Sequence, residues 1–343
     1  MVKYKNLNVS VLYFFVHFIL EVTTFYILSS YMSSNLFWYI ALAFDFFAFV
    51  PQALVGSISD KYRNIRFGLI GVVFTTISLL LLFLKMPLIP VIFFLTIGNC
   101  MIHVEGAEST LRTSEGTIFP ASLFVSGGAF GIIVGKLLYK FNFSIIYIIL
   151  CNILSFIIMI YASKYKKNEH SELKEFDFAN KKVNYTTIIA LATLVVMVRS
   201  YMSYGIPTEW NKTVIEAVLL YCSMGLGKAI GGLLVDNIGI KKTILLSTLL
   251  SLPFLMFGDN VMTISLIGIM LFSMTMAITL AILVSVLPKR PGLAFGFTTI
   301  GLFLGALPVF IFRIESVIVN AIIFTILTIC CIVVLDNISK GSR

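Results

Sequence analysis

About twelve apolar segments, each close to 20 residues long, follow one another along the chain with short polar stretches between them. A helix rises 1.5 Å per residue and satisfies its own backbone hydrogen bonds, so about 20 apolar residues suffice to cross the hydrocarbon of a bilayer. Only 12% of the 343 residues are charged, whereas soluble domains carry roughly 25%. The deficit recurs along the whole length, which excludes a soluble enzyme with a single anchor.

The pattern predicts an all-α integral membrane protein with twelve transmembrane helices. We place them near 9–31, 36–57, 67–85, 89–108, 117–138, 143–162, 185–206, 213–235, 243–258, 261–287, 292–312 and 317–335. One long hydrophilic stretch divides them into an N-terminal six-helix bundle (1–163), a cytoplasmic linker (164–184) and a C-terminal six-helix bundle (185–343). The first apolar run is too long for a secretory signal peptide and lacks a small-residue cleavage site.

The net charge of +9 is distributed as a topology signal and not as a nucleic-acid patch. With the N terminus in the cytoplasm, eighteen of the 25 Lys and Arg residues fall on that side and five on the outer side, as cytoplasmic loops require. The remaining two, Arg199 and Lys228, lie inside the membrane. We expect a multi-pass plasma-membrane protein with both termini cytoplasmic, in contact with lipids and without nucleic acid. The five cysteines have no metal-ligand spacing, and no cofactor is expected.

A short motif occurs twice, once in each half of the chain. Gly56-Ser-Ile-Ser-Asp60 follows the second predicted helix and Gly232-Leu-Leu-Val-Asp236 follows the eighth, displaced by the same 176 residues and each followed by a basic turn. Glycine lets two helices approach closely, and aspartate can bond to a neighbouring helix end. Parallel repeats of this kind are a transporter design. The candidates for a conformational role are Gly56, Asp60, Arg63, Gly232, Asp236 and Lys241.

The repeated motif resembles the Gly-x-x-x-Asp-Arg-x-Gly-Arg-Arg motif of the major facilitator superfamily. This chain has Asn64 where the family has glycine and Asn237 where it has a base. The segment Gly127-Gly128-x-x-Gly131-x-x-x-Gly135 is similar to the family's fifth-helix motif, without its Gly-Pro pair. The resemblance implies a monomeric transporter for a small molecule, with a cavity between two halves that rock to expose it to each side in turn.

Three further segments resemble the branch that contains fosmidomycin-resistance transporters. They are His17-x-x-x-Glu21, Ala48-Phe49-x-x-Gln52 and His103-Val104-Glu105-Gly106, where Val104 replaces the proline of that branch. This finer resemblance implies efflux of small compounds that are often anionic or amphiphilic.

Ionisable groups at bilayer depth are costly and are functional candidates. His17 and Glu21 lie four residues apart and so on one face of a helix, where they can pass a proton or make a structural hydrogen bond to another helix. Asp45 lies mid-span without a local partner, so it must pair with a base, stay protonated or face water. The proton-coupling candidates are therefore His17, Glu21 and Asp45.

Arg199 keeps its charge and needs an anion, which we expect to be Glu21, Asp45 or an anionic substrate. It serves either the central cavity or a permanent salt bridge. Lys228 either faces the cavity or extends its ammonium to the cytoplasmic surface. His103 and Glu105 belong either to a site or to a network at a helix end. The substrate-binding candidates are Arg199, Tyr201, Tyr204, His103 and Glu105.

These features predict a secondary active transporter that exports a small organic solute in exchange for protons. One alternative is a divalent metal-ion exporter of the same fold with His17, Glu21, Asp45 and His103 as ligands; the first interpretation has no metal site. Another is a lipid or lysolipid flippase, and a non-transporting receptor or scaffold is an alternative of a different class. The sequence shows no Ser-His pair, HExxH motif or carboxylate pair that would indicate an enzyme.

Overall fold

The described part of the chain folds into twelve helices that run along most of its length. The structure is a computed structural model, and it describes residues 4, 6–166, 174–311 and 317–341. The first six helices are α1 (Leu7–Ser29), α2 (Phe37–Lys61), α3 (Phe67–Phe83), α4 (Leu88–Thr113), α5 (Phe119–Lys140) and α6 (Ile145–Lys166). The others are α7 (Tyr185–Gly205), α8 (Val214–Ile238), α9 (Ile240–Phe257), α10 (Met262–Val286), α11 (Pro291–Ile311) and α12 (Val317–Ile338).

Eleven of these helices are long and apolar enough to cross a membrane, and α3 is shorter, with 17 residues. The apolar side chains of each helix face neighbouring helices or lipid, because the chain has few charged side chains that could face water. The prediction of an all-α, multi-pass membrane protein is confirmed.

Three helices are irregular. α2 consists of Phe37–Phe49 and Gln52–Lys61, which meet at Pro51 within the span placed near 36–57, and a proline inside a span can kink the helix. Proline removes a backbone donor and clashes with the preceding turn, which accounts for this break. α9 contains a π-helical turn over Leu245–Leu250, and α10 is interrupted at Met274.

The described part of the predicted linker is packed against the end of the chain. α6 extends to Lys166, inside the range predicted as linker, and 167–173 lie outside the described residues. Ala179 forms an antiparallel bridge with Ser339, and the side chain of Phe176 is buried in the core. This hydrophilic stretch therefore also contains apolar residues that hold it against the helices. The division into two bundles stays a prediction.

Small residues bring α1 and α5 into close contact. A Cβ atom at Gly127 would lie 2.5 Å from the carbonyl oxygen of Phe14, and one at Gly135 would lie 2.5 Å from that of Val22. Both distances are far below van der Waals contact. The glycine-rich segment is thus the surface on which α1 lies.

Replacing Gly127 with alanine is expected to destabilise the protein by about 1–3 kcal/mol, because the added methyl group must push α1 away from α5. The measurement is thermal unfolding of the purified protein in detergent. Gly341→Ala is the matched control, since a Cβ there meets nothing within 4 Å. Equal melting temperatures for both variants would contradict the assigned packing.

Candidate functional site

Three ionisable side chains from two helices meet in the protein interior. Oε1 of Glu21 on α1 lies 3.8 Å from Nε2 of His17 and 3.6 Å from Nε2 of His103 on α4. The three side chains are buried, and one ligand atom of each lies within 4.8 Å of those of the other two. We call His17, Glu21 and His103 the triad. The sequence had paired the first two on one helix face, and the structure adds the third.

Backbone carbonyls fix the orientation of both imidazoles. Nδ1 of His17 lies 2.9 Å from the carbonyl oxygen of Phe124, and Nδ1 of His103 lies 3.0 Å from that of Asn99. A carbonyl oxygen only accepts hydrogen bonds, so each Nδ1 carries the hydrogen and donates it. In the neutral rings Nε2 is then a free acceptor, and both Nε2 atoms face the carboxylate of Glu21.

Asn99 supports the carboxylate of the triad, and the sequence analysis missed it. Its Nδ2 atom donates to Oε1 of Glu21 at 3.3 Å and to the hydroxyl of Thr24 at 3.2 Å. Its buried Oδ1 atom has no hydrogen-bond partner within the described ranges. The available signal was an amide in an apolar run one helical turn before His103.

The triad lies where the two halves of the sequence meet. Lys228 on α8 is half-buried and interacts electrostatically with all three members. The ring of Phe295 on α11 stacks on that of His103 with 6.4 Å between centroids. Of the two alternatives for Lys228, this position favours the one in which it faces the interior over extension to the cytoplasmic surface.

Asp45 lies near the triad but is not part of it. Its charge acts on Glu21 and on the phenol of Tyr204. The Asp45 side chain is half-buried, and among the described residues it has no hydrogen bond or ion pair. Tyr204 is 55% exposed, and Tyr201, one turn before it on α7, is half-buried. The carboxylate of Asp45 is therefore available beside the triad.

Glu105 holds the start of α3. Its side chain is 1% exposed, accepts the backbone N–H of Gly68 at 2.8 Å and accepts the hydroxyl of Tyr13 at 3.2 Å. A carboxylate at a helix N-terminus satisfies free N–H groups and the positive end of the helix dipole. Of the two alternatives for Glu105, the geometry favours the helix-end network, and contact with a substrate stays a prediction.

Arg199 connects the two irregular helices of the second half. Its Nη2 atom donates to the carbonyl oxygens of Ser247, in the π turn of α9, and of Phe272, next to the break in α10, each at 3.0 Å. The guanidinium also lies 3.4 Å from the ring centroid of Phe272. The predicted pairing with Glu21 or Asp45 is wrong, because irregular helical turns expose carbonyls that a buried donor can bind. Its contact with a substrate stays a prediction.

The first motif aspartate caps a helix of the other half. Asp60, at the end of α2, accepts the backbone N–H groups of Gly292 at 3.1 Å and Leu293 at 2.9 Å, in the first turn of α11. Arg112 on α4 donates to the same carboxylate at 2.9 Å and to Glu108 at 2.7 Å. The Glu108–Arg112 pair is buried and supports this cap.

The second motif aspartate makes the equivalent contact. Asp236, at the end of α8, accepts the backbone N–H groups of Ile118 and Phe119, each at 2.9 Å, at the start of α5. The hydroxyl of Tyr4 also bonds to Asp236 and accepts Nδ2 of Asn237 at 3.1 Å. Burial raises the pKa of Tyr4 to about 12, and the charge of Asp236 adds to the rise, so the phenol keeps its proton and donates it.

The motif glycines make room for both caps. A Cβ at Gly56 would overlap the carbonyl group of Gly292 and lie 3.0 Å from the backbone nitrogen of Leu293, and one at Gly232 would lie 3.0 Å from Cα of Phe119. The basic residues of the motif do something else. Arg63 is exposed, and Lys241 bonds to the carboxylate and the carbonyl oxygen of Asp336. We call the end of the molecule with the two caps the motif end.

Twelve helices with two equivalent caps, each joining the two halves of the sequence, define a polytopic, all-α membrane protein. No model of a known protein family matches the sequence, and no curated protein matches it. Solved structures do match. The chain has the fold of the major facilitator superfamily transporters, and the predicted resemblance is confirmed at this level.

Two solved structures illustrate the likeness. The human organic anion transporter MFSD10 (TETRAN) is 11% identical, with 96% of this chain and 98% of that chain covered and a TM-score of 0.67. A variant of the Escherichia coli fucose:proton symporter FucP is 12% identical, with 95% and 97% covered and a TM-score of 0.64. A second FucP structure, in the outward conformation, gives 10% identity, the same coverage and a TM-score of 0.63. Identities this low establish the fold alone.

Proposed function

We propose that the protein is a secondary active transporter that works by alternating access. The observation that carries the proposal is the pair of caps, in which Asp60 and Asp236 each bind a helix start in the other half. These bonds can break without disturbing the packing within either half. The conformation described above then has its motif end closed, and topology predicts that this end is cytoplasmic.

Contacts at the opposite end are of a different kind. Nζ of Lys136 on α5 donates to the hydroxyl of Tyr221 on α8 at 2.7 Å, and the rings of Trp38 and Phe310 lie 6.0 Å apart. These contacts join single side chains, and among the described residues, which leave out 312–316, no carboxylate at this end accepts the N–H groups of a helix start in the other half. We therefore propose that the opposite end opens first from this conformation, and that the caps must separate before the motif end opens.

We further propose export of a small organic solute, anionic or amphiphilic, in exchange for protons at the plasma membrane. Lys228 supports an anionic solute, because a half-buried ammonium next to the triad offers a positive charge at the junction of the halves. Asp45 supports proton coupling, because its carboxylate has no partner among the described residues and can be neutralised without breaking a bond. The name of MFSD10 includes transport of organic anions, and that of FucP includes proton coupling, although FucP moves its solute and the proton in the same direction.

Replacing Asp45 with asparagine is expected to abolish solute-driven proton movement while the protein stays folded. The amide has nearly the same shape but cannot take up or release a proton. The measurement is the change in lumenal pH of proteoliposomes when candidate anionic and amphiphilic solutes are added. Glu209→Gln removes an exposed carboxylate and serves as the control.

Wild-type protein and the Glu209→Gln variant should show the same proton flux. Unchanged flux in the Asp45→Asn variant would rule out Asp45 as the coupling acid. If the wild type moves solute without any proton movement, the proposal of proton coupling is excluded, whereas the proposal of alternating access is not affected.

A further inference from the structure

We propose that the triad of His17, Glu21 and His103 is a binding site for one divalent transition-metal cation. The inference goes beyond the transport cycle proposed above, since metal binding by the purified chain requires no transport. It depends on the positions of the three side chains and on the groups that orient them.

The donor atoms of the triad suit imidazole-binding cations. Two imidazole nitrogens and one carboxylate oxygen are good ligands for Zn²⁺, Co²⁺, Ni²⁺ and Fe²⁺, whereas Mg²⁺ and Ca²⁺ prefer oxygen alone. Three protein ligands leave at least one coordination position for water or a solute. Asp45, the fourth ligand in the metal-exporter alternative, is not among the atoms that converge here.

The spacing of the three atoms is close to that of a metal site. Bonds of about 2.1 Å in a tetrahedral site put neighbouring ligand atoms about 3.4 Å apart. The distances from Oε1 of Glu21 to the two Nε2 atoms are 3.6 and 3.8 Å. Both distances exceed the tetrahedral value by only a few tenths of an ångström, and the three ligand atoms lie within 4.8 Å of one another, so rotation of the side chains would bring them onto one cation.

The groups behind the triad orient it as those behind metal ligands do. A metal-binding imidazole usually donates its other N–H to a carbonyl or carboxylate, which fixes the tautomer and turns the free nitrogen towards the metal. Both imidazoles of the triad do so, to the carbonyls of Phe124 and Asn99. The amide of Asn99 also holds the ligating oxygen of Glu21. The arrangement is thus organised before any cation arrives.

Three electron-rich atoms that face one another repel unless a positive charge lies among them. In the described structure the nearby positive group from the other half is Lys228, which acts on all three. We infer that its charge partly offsets this repulsion when the site is metal-free. A bound divalent cation would then repel Lys228 and so weaken the hold of α8 on the triad.

The test uses full-length protein in detergent, with Co²⁺ as a visible-absorption probe and Zn²⁺ as its competitor. We expect one Co²⁺ per chain, a spectrum typical of imidazole ligation, and displacement by Zn²⁺. His17→Ala and His103→Ala should each weaken binding by at least about 100-fold, and Asn99→Ala by about 10–100-fold. His170→Ala is the matched histidine control, because His170 belongs to the predicted linker outside the described residues, and it should bind as the wild type does.

Lys228→Met should strengthen metal binding about tenfold, because the competing ammonium is gone, and Lys136→Met should leave it unchanged. Size-exclusion profiles and metal-free melting temperatures identify any variant that misfolds, and His17→Gln and His103→Gln then replace the alanine variants. Absence of Co²⁺ binding by the wild type, or equal binding by the His17 and His103 variants, would overturn the proposal. The proton-flux experiment on Asp45 would keep its meaning in either case.

Discussion

Replacing Asp60 and Asp236 together with asparagine is expected to raise the population open at the motif end about 100-fold. Each carboxylate accepts two backbone N–H groups at a helix start of the other half. Asparagine keeps one acceptor and turns a donor towards the second N–H group. Hydrogen bonds to a charged acceptor contribute about 1.5–3 kcal/mol, and 1.4 kcal/mol is a factor of ten, so each substitution should change the equilibrium about tenfold.

The effects should multiply, because the two caps share no partner among the described residues. The measurement is the rate at which a maleimide labels Ser122→Cys in a background without the five native cysteines. Ser122 is buried against Gly232, beside the second cap, and becomes reachable only when the halves separate there. Asp236→Asn alone should raise the rate about tenfold, and the control Glu209→Gln should leave it unchanged. Equal labelling in all variants would mean that the caps do not hold the motif end closed.

Replacing Glu105 with alanine is expected to destabilise the protein by about 2–4 kcal/mol. The substitution leaves the backbone N–H of Gly68 and the hydroxyl of Tyr13 without their carboxylate partner in the interior, and it removes the negative charge at the start of α3. The measurement is thermal unfolding in detergent, together with the yield of monodisperse protein.

Glu115→Ala is the matched control for Glu105. Glu115 pairs with Lys174 at 3.3 Å, but the lysine is largely exposed, and surface pairs contribute at most about 1 kcal/mol. A smaller loss for Glu105→Ala than for Glu115→Ala would show that the contact with α3 is not stabilising. A stable Glu105→Ala variant that loses transport would instead return Glu105 to the substrate-binding candidates.

The fold was predictable because it depends on properties that the sequence carries locally. A run of apolar residues has to be a helix in a bilayer, so length and composition alone place the spans. The repeat with Asp60 and Asp236 was visible as a spacing, although not its partners. Those partners are backbone N–H groups of α11 and α5, which have no sequence signature.

The site was only half predictable, since it depends on how the helices are rotated against one another. Spacing on one helix brought His17 and Glu21 together, but His103 joins them from another helix. Arg199 was expected to find a carboxylate and instead binds carbonyls exposed by the π turn of α9 and the break in α10. No residue type in those segments marks the irregularity in advance. Asn99 was missed, and the role of Lys228 was left open, for the same reason. The direction in which a side chain points within a helix bundle depends on tertiary packing.

The phenol that bonds to Asp236 lies before α1, so one of the two interlocks between the halves depends in part on a residue outside the membrane-spanning helices. A bulky group attached to residue 4 would lie beside that interlock, and we expect it to favour separation of the halves there. The interlock at Asp60 is reinforced instead by Arg112, from within the helices, and should be insensitive to such a group. A label intended to report on the caps should therefore be attached elsewhere than at residue 4.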